Sequence, residues 1–328
     1  MNKFIYFCYY LNKLNWSLFY KFIKHTTKLT GKSKMTIYLE ILTSSFKYKI
    51  SILEYFQFGF YGLTEEEKKG WVGTGFLYEI QKKMNPILER HVLDDKTVFK
   101  KVYENFFIHK VYNLNEVKKD KDIVNMLLSK EKVVLKESHG KCGLGTLFID
   151  SKNYSNTSLI KYMENEGYDL AETYIVQHPD LNRLSPSGVN TVRIITQLTS
   201  ENEVEILGCR QRISVNSRVD NMAAGNMAAE IDEKTGKIIG PGVYSDITKK
   251  EEIVHPVTGV PIIGFQIPLW DQCLQMAKKA ALFQTRNRSI GWDLVVTEDG
   301  PGLIEGNHDW CKLVWQLPVK RGLKSMLE

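Results

Sequence analysis

The chain has 328 residues, 43% hydrophobic and 25% charged, with a formal net charge of +6 at pH 7. That is the composition of a globular protein long enough for about two domains, and it excludes a fibrous or disordered chain. Five cysteines without a CxxC pair (Cys8, Cys142, Cys209, Cys273, Cys311) argue against a disulfide framework or a zinc site and for a reducing cytoplasm.

No uncharged apolar run approaches the ~20 residues of a spanning helix. Lys3 is followed by aromatics without a small-residue cleavage site, so no signal peptide is expected. Residues 1–60 hold nine lysines and two acids, and the other 268 residues sum to about −1. A near-neutral body speaks against a nucleic-acid footprint over the whole protein.

In chain order, residues 3–28 read as one helix and 35–90 as further helices, with a loop near Gly59–Thr64. Thr64 as N-cap with Glu67 three residues on forms a capping-box pattern. Residues 94–106 predict another helix, capped by Asp94 or Asp95. "EKVVLKES" reads as a strand, followed by a glycine-rich turn and the strand "GTLFID". Residues 155–166 read as a helix, "YDLAETYIVQ" as a strand, and 178–188 as a polar stretch containing proline. "NTVRIITQLT" and "VEILGCRQRISV" are long strands about the turn "SENE", and "AAEIDEKTGKIIG" is a hairpin. A helix starts on Pro268. "GWDLVVTEDGPGLIEGN" gives two closing strands about Asp299–Gly300.

Two constellations could carry chemistry. On the last hairpin, Glu305 and Asn307 are two apart and share a face, and the turn brings Asp293 opposite them. Three oxygen-bearing side chains on a hairpin of apolar residues suit Mg²⁺, which takes one or two carboxylates plus substrate phosphates. The plainer alternative is a solvated hairpin face. The second constellation is Lys136 before "HGKCGLG". This is neither a Walker A loop nor GxGxxG. It is either a structural turn or a flap whose amides lie over phosphates while Lys136 faces their charge. His139 and Cys142 lack an orienting acid for nucleophile chemistry. His178 and His308 read as loop hydrogen-bonders, and Trp292, Trp310 and Trp315 as core or pocket wall.

Lys96 in "DDK", Lys136 before a glycine-rich flap, and Asp293, Glu305 and Asn307 together resemble the ATP-grasp superfamily, in the order of D-alanine–D-alanine ligase-like enzymes. "QHPDLNRLSPSGVNTVRIIT", "RISVNSRVDNMAAGN" and "DLVVTEDGPGLIEGNHDW" resemble more narrowly the sugar-transfer-associated ATP-grasp proteins found with polysaccharide-biosynthesis genes. The resemblance covers roughly residues 50–317.

The resemblance implies an α+β ATP-grasp fold, two subdomains clasping ATP. Residues 91–176 would carry the flap and 177–328 the metal and acceptor sides, behind an N-terminal helical region at 1–90. Lys96 and Lys136 would contact the ATP phosphates, under the backbone of His139–Gly145, including Gly140 and Gly143. The hinge Glu172–Gln177, including Thr173, Tyr174 and Ile175, would hold the adenine edge with its backbone, with Gln177 or a neighbour near the ribose. Asp293, Glu305 and Asn307 would hold Mg²⁺. Arg193 would reach the γ-phosphate or a substrate carboxylate, unless it pairs a structural acid, and with Arg212 and Lys136 would carry the catalytic charge. Arg210, Arg212, Asp220 and Asn221 would line the acceptor side. Two departures stand out: Gly225–Asn226 replaces the family's frequent paired glycines, and the flap has fewer glycines.

The implied reaction is ligation of a carboxylate to an amine through an acyl phosphate, the acid or amine belonging to a sugar of a surface polysaccharide such as capsule or O-antigen. The alternatives are a sugar kinase on the same fold and a non-catalytic, membrane-associated scaffold for glycosyltransferases. No nucleic-acid partner is expected. Residues 1–30 are expected to contact an anionic membrane from its cytoplasmic side. On a helical projection Lys3, Lys13, Lys21, Lys24 and Lys28 lie within an arc of about 80°. The opposite side carries Phe4, Phe7, Leu11, Leu18, Phe19, Phe22 and Leu29. That apolar side suits headgroups, or else the protein's own core or a second subunit.

Overall fold

The structure, a computed structural model, describes residues 10–140 and 145–328. Expectations for residues 1–9, including Phe4 and Phe7, and for Gly143 fall outside these.

Among the described residues the chain begins with helices α1 (Trp16–Thr30), α2 (Lys34–Tyr48), α3 (Ile52–Gln57), α4 (Glu65–Lys69) and α5 (Thr74–Met84). The single helix expected over 3–28 is interrupted. Asn15 is extended and its side chain accepts from Leu18 N, so it caps a new helix at Trp16. Thr64 and Glu67 form the anticipated capping box on α4. Then come α6 (His91–Asp94) and α7 (Lys96–Tyr103), the latter capped by Asp95 through Thr97 N and Val98 N.

A four-stranded antiparallel sheet follows, with strand order β1-β4-β2-β3. It comprises β1 (Val111–Asn113), helices α8 (Leu114–Lys119) and α9 (Lys121–Leu128), β2 (Lys132–Lys136), β3 (Thr146–Asp150), α10 (Asn156–Glu166) and β4 (Leu170–Thr173). The strand expected through Gln177 stops at Thr173. The polar stretch at 178–188 contains helix α11 (Pro179–Leu184), with Pro179 in its first turn and His178 capping Asp180 N.

The second sheet has order β7-β6-β5-β8-β9, all antiparallel. Its strands are β5 (Val192–Leu198), β6 (Val204–Ile213), β7 (Met227–Ile231), β8 (Ser289–Thr297) and β9 (Gly300–Asn307). Helix α12 (Trp270–Phe283) begins two residues after Pro268, because Leu269 sits at φ 53, outside helical geometry. A short α13 (Lys312–Gln316) follows β9.

Alternation along β5 gives the large sheet two cores. Val192 and Ile194 join α12 residues Cys273 and Ala277 on one side, while Ile195 joins Leu207, Trp310 and Trp315 on the other. Val92, Phe99 and Tyr103 belong to the core of the large sheet, so α6 and α7 pack there rather than with the small sheet.

The apolar side of α1 faces inward. Phe19, Phe22 and Ile23 pack with Ile37, Phe56, Met222 and Val314, so of the alternatives for this side most of it meets the protein's own core, with Leu29 exposed. A buried ion pair ties the same helices to the C-terminal part. Lys312 Nζ lies 2.7 Å from Glu54, which also accepts from Ser51 N and Thr74 N.

Candidate functional site

The two sheets and the loops joining them wall a cleft of 440 Å³, within the range of small-molecule sites. Lys96, Lys136, Glu172, Arg212, Glu305 and Asn307 all line it. Residues more than 200 apart in the sequence thus share one cleft.

Lys136 ends β2, and Glu172 lies on neighbouring β4. Their side chains meet at 2.7 Å, with His109 Nε2 3.4 Å from the same carboxylate oxygen. Burial works against the Glu172 charge, but Lys136 and His109 outweigh it and hold the carboxyl at about 2. Glu172 was expected to contribute only backbone to a hinge. Its side chain instead orients Lys136, which no local pattern reveals.

Lys96 opens α7 beside the flap base. Its ammonium donates to Glu137 O at 2.9 Å and to Gly140 O, and its backbone N–H to Ser138 O at 3.3 Å. Ser138 is fixed by Asp169, through Oγ at 2.5 Å and N at 2.6 Å. Burial lowers the Lys96 pKa from the ordinary lysine value, and Lys136 adds to this while Glu305 opposes it. The flap hairpin closes where Glu137 N donates to Gly145 O. Gly145 sits at φ +73, and a Cβ there would lie 2.7 Å from the Glu137 carboxyl carbon, so this turn requires glycine. Gly140 lines the cleft, whereas His139 is exposed outside it.

Across the large sheet, Arg193, Asp293 and Glu305 stand in one register row on β5, β8 and β9. Arg193 bonds Asp293 through Nε (2.5 Å) and Nη2 (2.7 Å), and Arg212 adds a third bond at 2.6 Å. Arg212 also pairs with Asp220 at 2.7 Å. Asp220 in turn accepts from Thr191 N at 2.7 Å and Thr191 Oγ1 at 2.5 Å. Burial opposes the charge of Asp293, yet the two guanidinium groups hold its pKa far below the carboxylate range. Glu305 is pushed the other way, first by burial and then by Asp293 beside it.

Arg193 and Asp293 both line the cleft and pair there, with Arg212 also on Asp293, which is the structural-acid alternative for Arg193. Two buried arginines on the same sheet face need an anion, and Asp293 is the one in register. Glu305 and Asn307, which line the cleft beside Asp293, could hold a cation. The Asn307 amide nitrogen donates to Gly291 O and Glu305 Oε1, so its oxygen is the donor left over. Glu305, partly buried beside another carboxylate and raised in pKa, is where a cation would relieve repulsion. Among the described residues no group of three His, Cys, Asp or Glu side chains forms a metal centre.

Two more residues are displaced from their expected roles. Arg210 does not line the cleft. Its guanidinium runs back over Gly208 to donate to Trp315 O at 2.9 and 2.6 Å. Gln177 is buried behind the hinge. It donates to Ser185 O and Gly188 O and accepts from Asn190, so it braces a loop rather than facing a ribose. Thr173, Tyr174 and Ile175 do line the cleft, as does Asn221. Asn226 takes over bracing with bonds to Val215 N, Val219 O and Asn221 O, which accounts for an asparagine after Gly225. Sequence reading had assigned no site role to His308, which meets Asp94 at 3.1 Å on the cleft wall, or to Arg218, which lies over the Phe148 ring.

The family described as sugar-transfer associated ATP-grasp matches residues 76–328. No curated protein matches. Among solved structures, the chain is similar to the ADP complex of an N5-carboxyaminoimidazole ribonucleotide synthetase at 12% identity and TM-score 0.41, over 73% of this chain and 52% of that one. It is similar to D-alanine–D-alanine ligase from Bacillus anthracis at 15% and 0.36, over 66% and 57%. For D-alanine–D-alanine ligase from Helicobacter pylori the values are 13% and 0.43, over 77% and 68%. The chain thus spans only 52–57% of the length of the first two.

Proposed function

The chain belongs to the sugar-transfer-associated ATP-grasp family, with the α+β ATP-grasp fold, and from that premise we propose that it is an ATP-dependent carboxylate–amine ligase of surface-polysaccharide assembly. The observation that supports this reading is the meeting of two lysines, Lys96 and Lys136, with Glu305 and Asn307 in one cleft.

In the proposed reaction a carboxylate oxygen of a sugar acid attacks the γ-phosphorus of ATP. The bond to the β,γ-bridging oxygen breaks, ADP departs, and an acyl phosphate is left. An amine then attacks the acyl carbon and gives up a proton. Phosphate leaves, carrying the former carboxylate oxygen. Lys136, aligned by Glu172, and Lys96, held against the flap base, receive the phosphate charge. Lys96 would exchange its carbonyl bonds for phosphate ones. Arg193 and Arg212 are matched in charge by Asp293 and Asp220, so this cluster contributes fixed dipoles rather than net positive charge. Glu305 and Asn307 would hold Mg²⁺, which supplies charge neutralisation at the phosphates when bound. No side-chain nucleophile is required.

The test is turnover of ATP with Mg²⁺ and a panel of uronic acids and amines, followed by ADP release and product mass. An amide with release of phosphate supports the ligase. A stable phosphoester would make the protein a kinase, and absence of ATP binding would make it a scaffold.

A further inference from the structure

We propose that the outer face of the α1–α2 hairpin docks the protein on an anionic lipid bilayer, setting one end of the cleft at the membrane surface. The face expected from sequence, the apolar side of α1, is mostly buried. A different face is exposed. Trp16 and Tyr20 on α1 are 48% and 58% accessible, and Met35, Tyr38, Leu39 and Leu42 on α2 are also exposed. These two sets are joined by rings: Trp16 to Tyr20 at 6.0 Å, Tyr20 to Phe19 at 5.6 Å, and Phe19 to Tyr38 at 6.1 Å. Exposed aromatic and aliphatic side chains on both helices, bridged beneath by the buried Phe19 ring, mark an interaction surface.

Charge identifies the partner. Residues 10–49 carry eight lysines and a single acid, Glu40. Glu40 is turned to Lys32 and the Tyr55 hydroxyl. Lys13, Lys24, Lys28 and Lys34 flank the patch with no ion-pair partner among the described residues. A second copy packed on this face through a two-fold axis would set lysine against lysine. A nucleic acid would use the lysines and rings but leave Met35, Leu39 and Leu42 without an apolar partner. An anionic bilayer satisfies both sets: headgroups for the lysines, acyl boundary for the apolar chains, and interfacial depth for Trp16 and Tyr20.

The hairpin also sits at the rim of the cleft. Lys21 on α1 pairs with Asp246 at 2.6 Å, next to Ser245, which lines the cleft and accepts at 3.1 Å from Gln57 on the neighbouring α3. Met222 and Val314 line the cleft and pack on the hairpin's core. The placement suits a lipid-linked acceptor. That clause rests on the proposed ligase reading, whereas docking itself does not.

The experiment is flotation of the full chain, without nucleotide, on phosphatidylcholine vesicles with and without phosphatidylglycerol, at low and high salt. The expected result is flotation on the anionic vesicles at low salt, weakened by salt, and accompanied by a blue shift of tryptophan emission. Trp16 is the exposed tryptophan, the other five being buried, so the shift should vanish in Trp16→Phe. Two multiple variants, Trp16→Ser with Leu39→Ser and Lys24→Glu with Lys28→Glu, alter only exposed positions and should melt like wild type. Each should partition at least about tenfold less onto the vesicles. Wild type that stays in solution, variants that float equally, or a concentration-dependent dimer lost in the same variants would overturn the proposal. Vesicle binding reads docking alone, so a failed ligase assay leaves this result standing, and the reverse also holds.

Discussion

Arg193 and Asp293 face each other in register across β5 and β8, and their two-pronged ion pair is buried, with Asp293 only 2% exposed. Asp293 therefore braces two arginines, while burial and Asp293 itself raise the pKa of Glu305, its register partner on β9. The two carboxylates should respond in opposite ways to neutralisation.

Asp293→Asn should destabilise the fold by about 3–5 kcal/mol, because it leaves buried guanidinium groups uncompensated. The folded-state pKa of Asp293 is depressed, so its contribution is present above the unfolded value near 3.9 and lost as pH falls below it. Glu305→Gln should melt no lower than wild type at neutral pH. Its folded pKa is raised, so ionisation penalises the fold as pH rises through that value, and glutamine removes the penalty. Yet Glu305→Gln should abolish Mg²⁺-dependent ATP turnover. Thermal melts across pH and turnover assays give both answers; equal stability of the two variants would remove Asp293 from its bracing role.

Lys136→Met should weaken ATP binding or turnover at least tenfold, on the order of 1.4 kcal/mol. It should also cost stability by about 3 kcal/mol, since Glu172 is left buried. The Glu172 contribution is present above the unfolded glutamate value near 4.3 and is lost as pH falls towards about 2. The acid limb of the stability curve should therefore flatten in the variant. Adding Glu172→Gln should restore the melting temperature but not the ATP affinity. Restoration of both would mean that Lys136 serves only its partner.

Glu54→Gln should lower stability by about 2–4 kcal/mol by breaking the buried link to Lys312. A double-mutant cycle with Lys312→Met, read by urea unfolding, should give a coupling of about 1 kcal/mol or more. Phe22→Ala should cost about 3–5 kcal/mol. Removing residues 1–30 is expected to unfold the protein, and a stable truncated chain would show that α1 is not part of the core.

Gln177→Ala should lower the melting temperature, losing about 1–3 kcal/mol of loop bracing, with ATP affinity little changed. A selective loss of ATP affinity at full stability would return Gln177 to the nucleotide.

Local patterns told most where the chemistry was local. The capping box at Thr64 and Glu67 and the facing of Asp293 with Glu305 follow from spacing and a turn. Lys136 and the glycine-rich turn were readable because glycines crowd a short stretch. What could not be read was set by partners distant in sequence. Lys96 finds its carbonyls at residues 137 and 140, and Arg193 finds Asp293 a hundred residues on. Arg210 and Arg212 do share a strand face, but Gly208 leaves room for one guanidinium to turn away along the strand. The amphipathic pattern of α1 announced a buried side without saying that Met222 and Val314 would help to cover it. Helix α11 was hidden in a segment rich in proline, asparagine and serine.

The most direct measurement of the acyl-phosphate reaction follows oxygen from the acid to the phosphate. Uronic acids labelled with ¹⁸O in the carboxylate would be incubated with ATP, Mg²⁺ and amines, and the phosphate and sugar products weighed by mass spectrometry. One ¹⁸O is expected in each phosphate released, matched by an amide that has lost one label. ADP formed with unlabelled phosphate, or with a stable sugar phosphoester retaining both labels in its carboxylate, would contradict it.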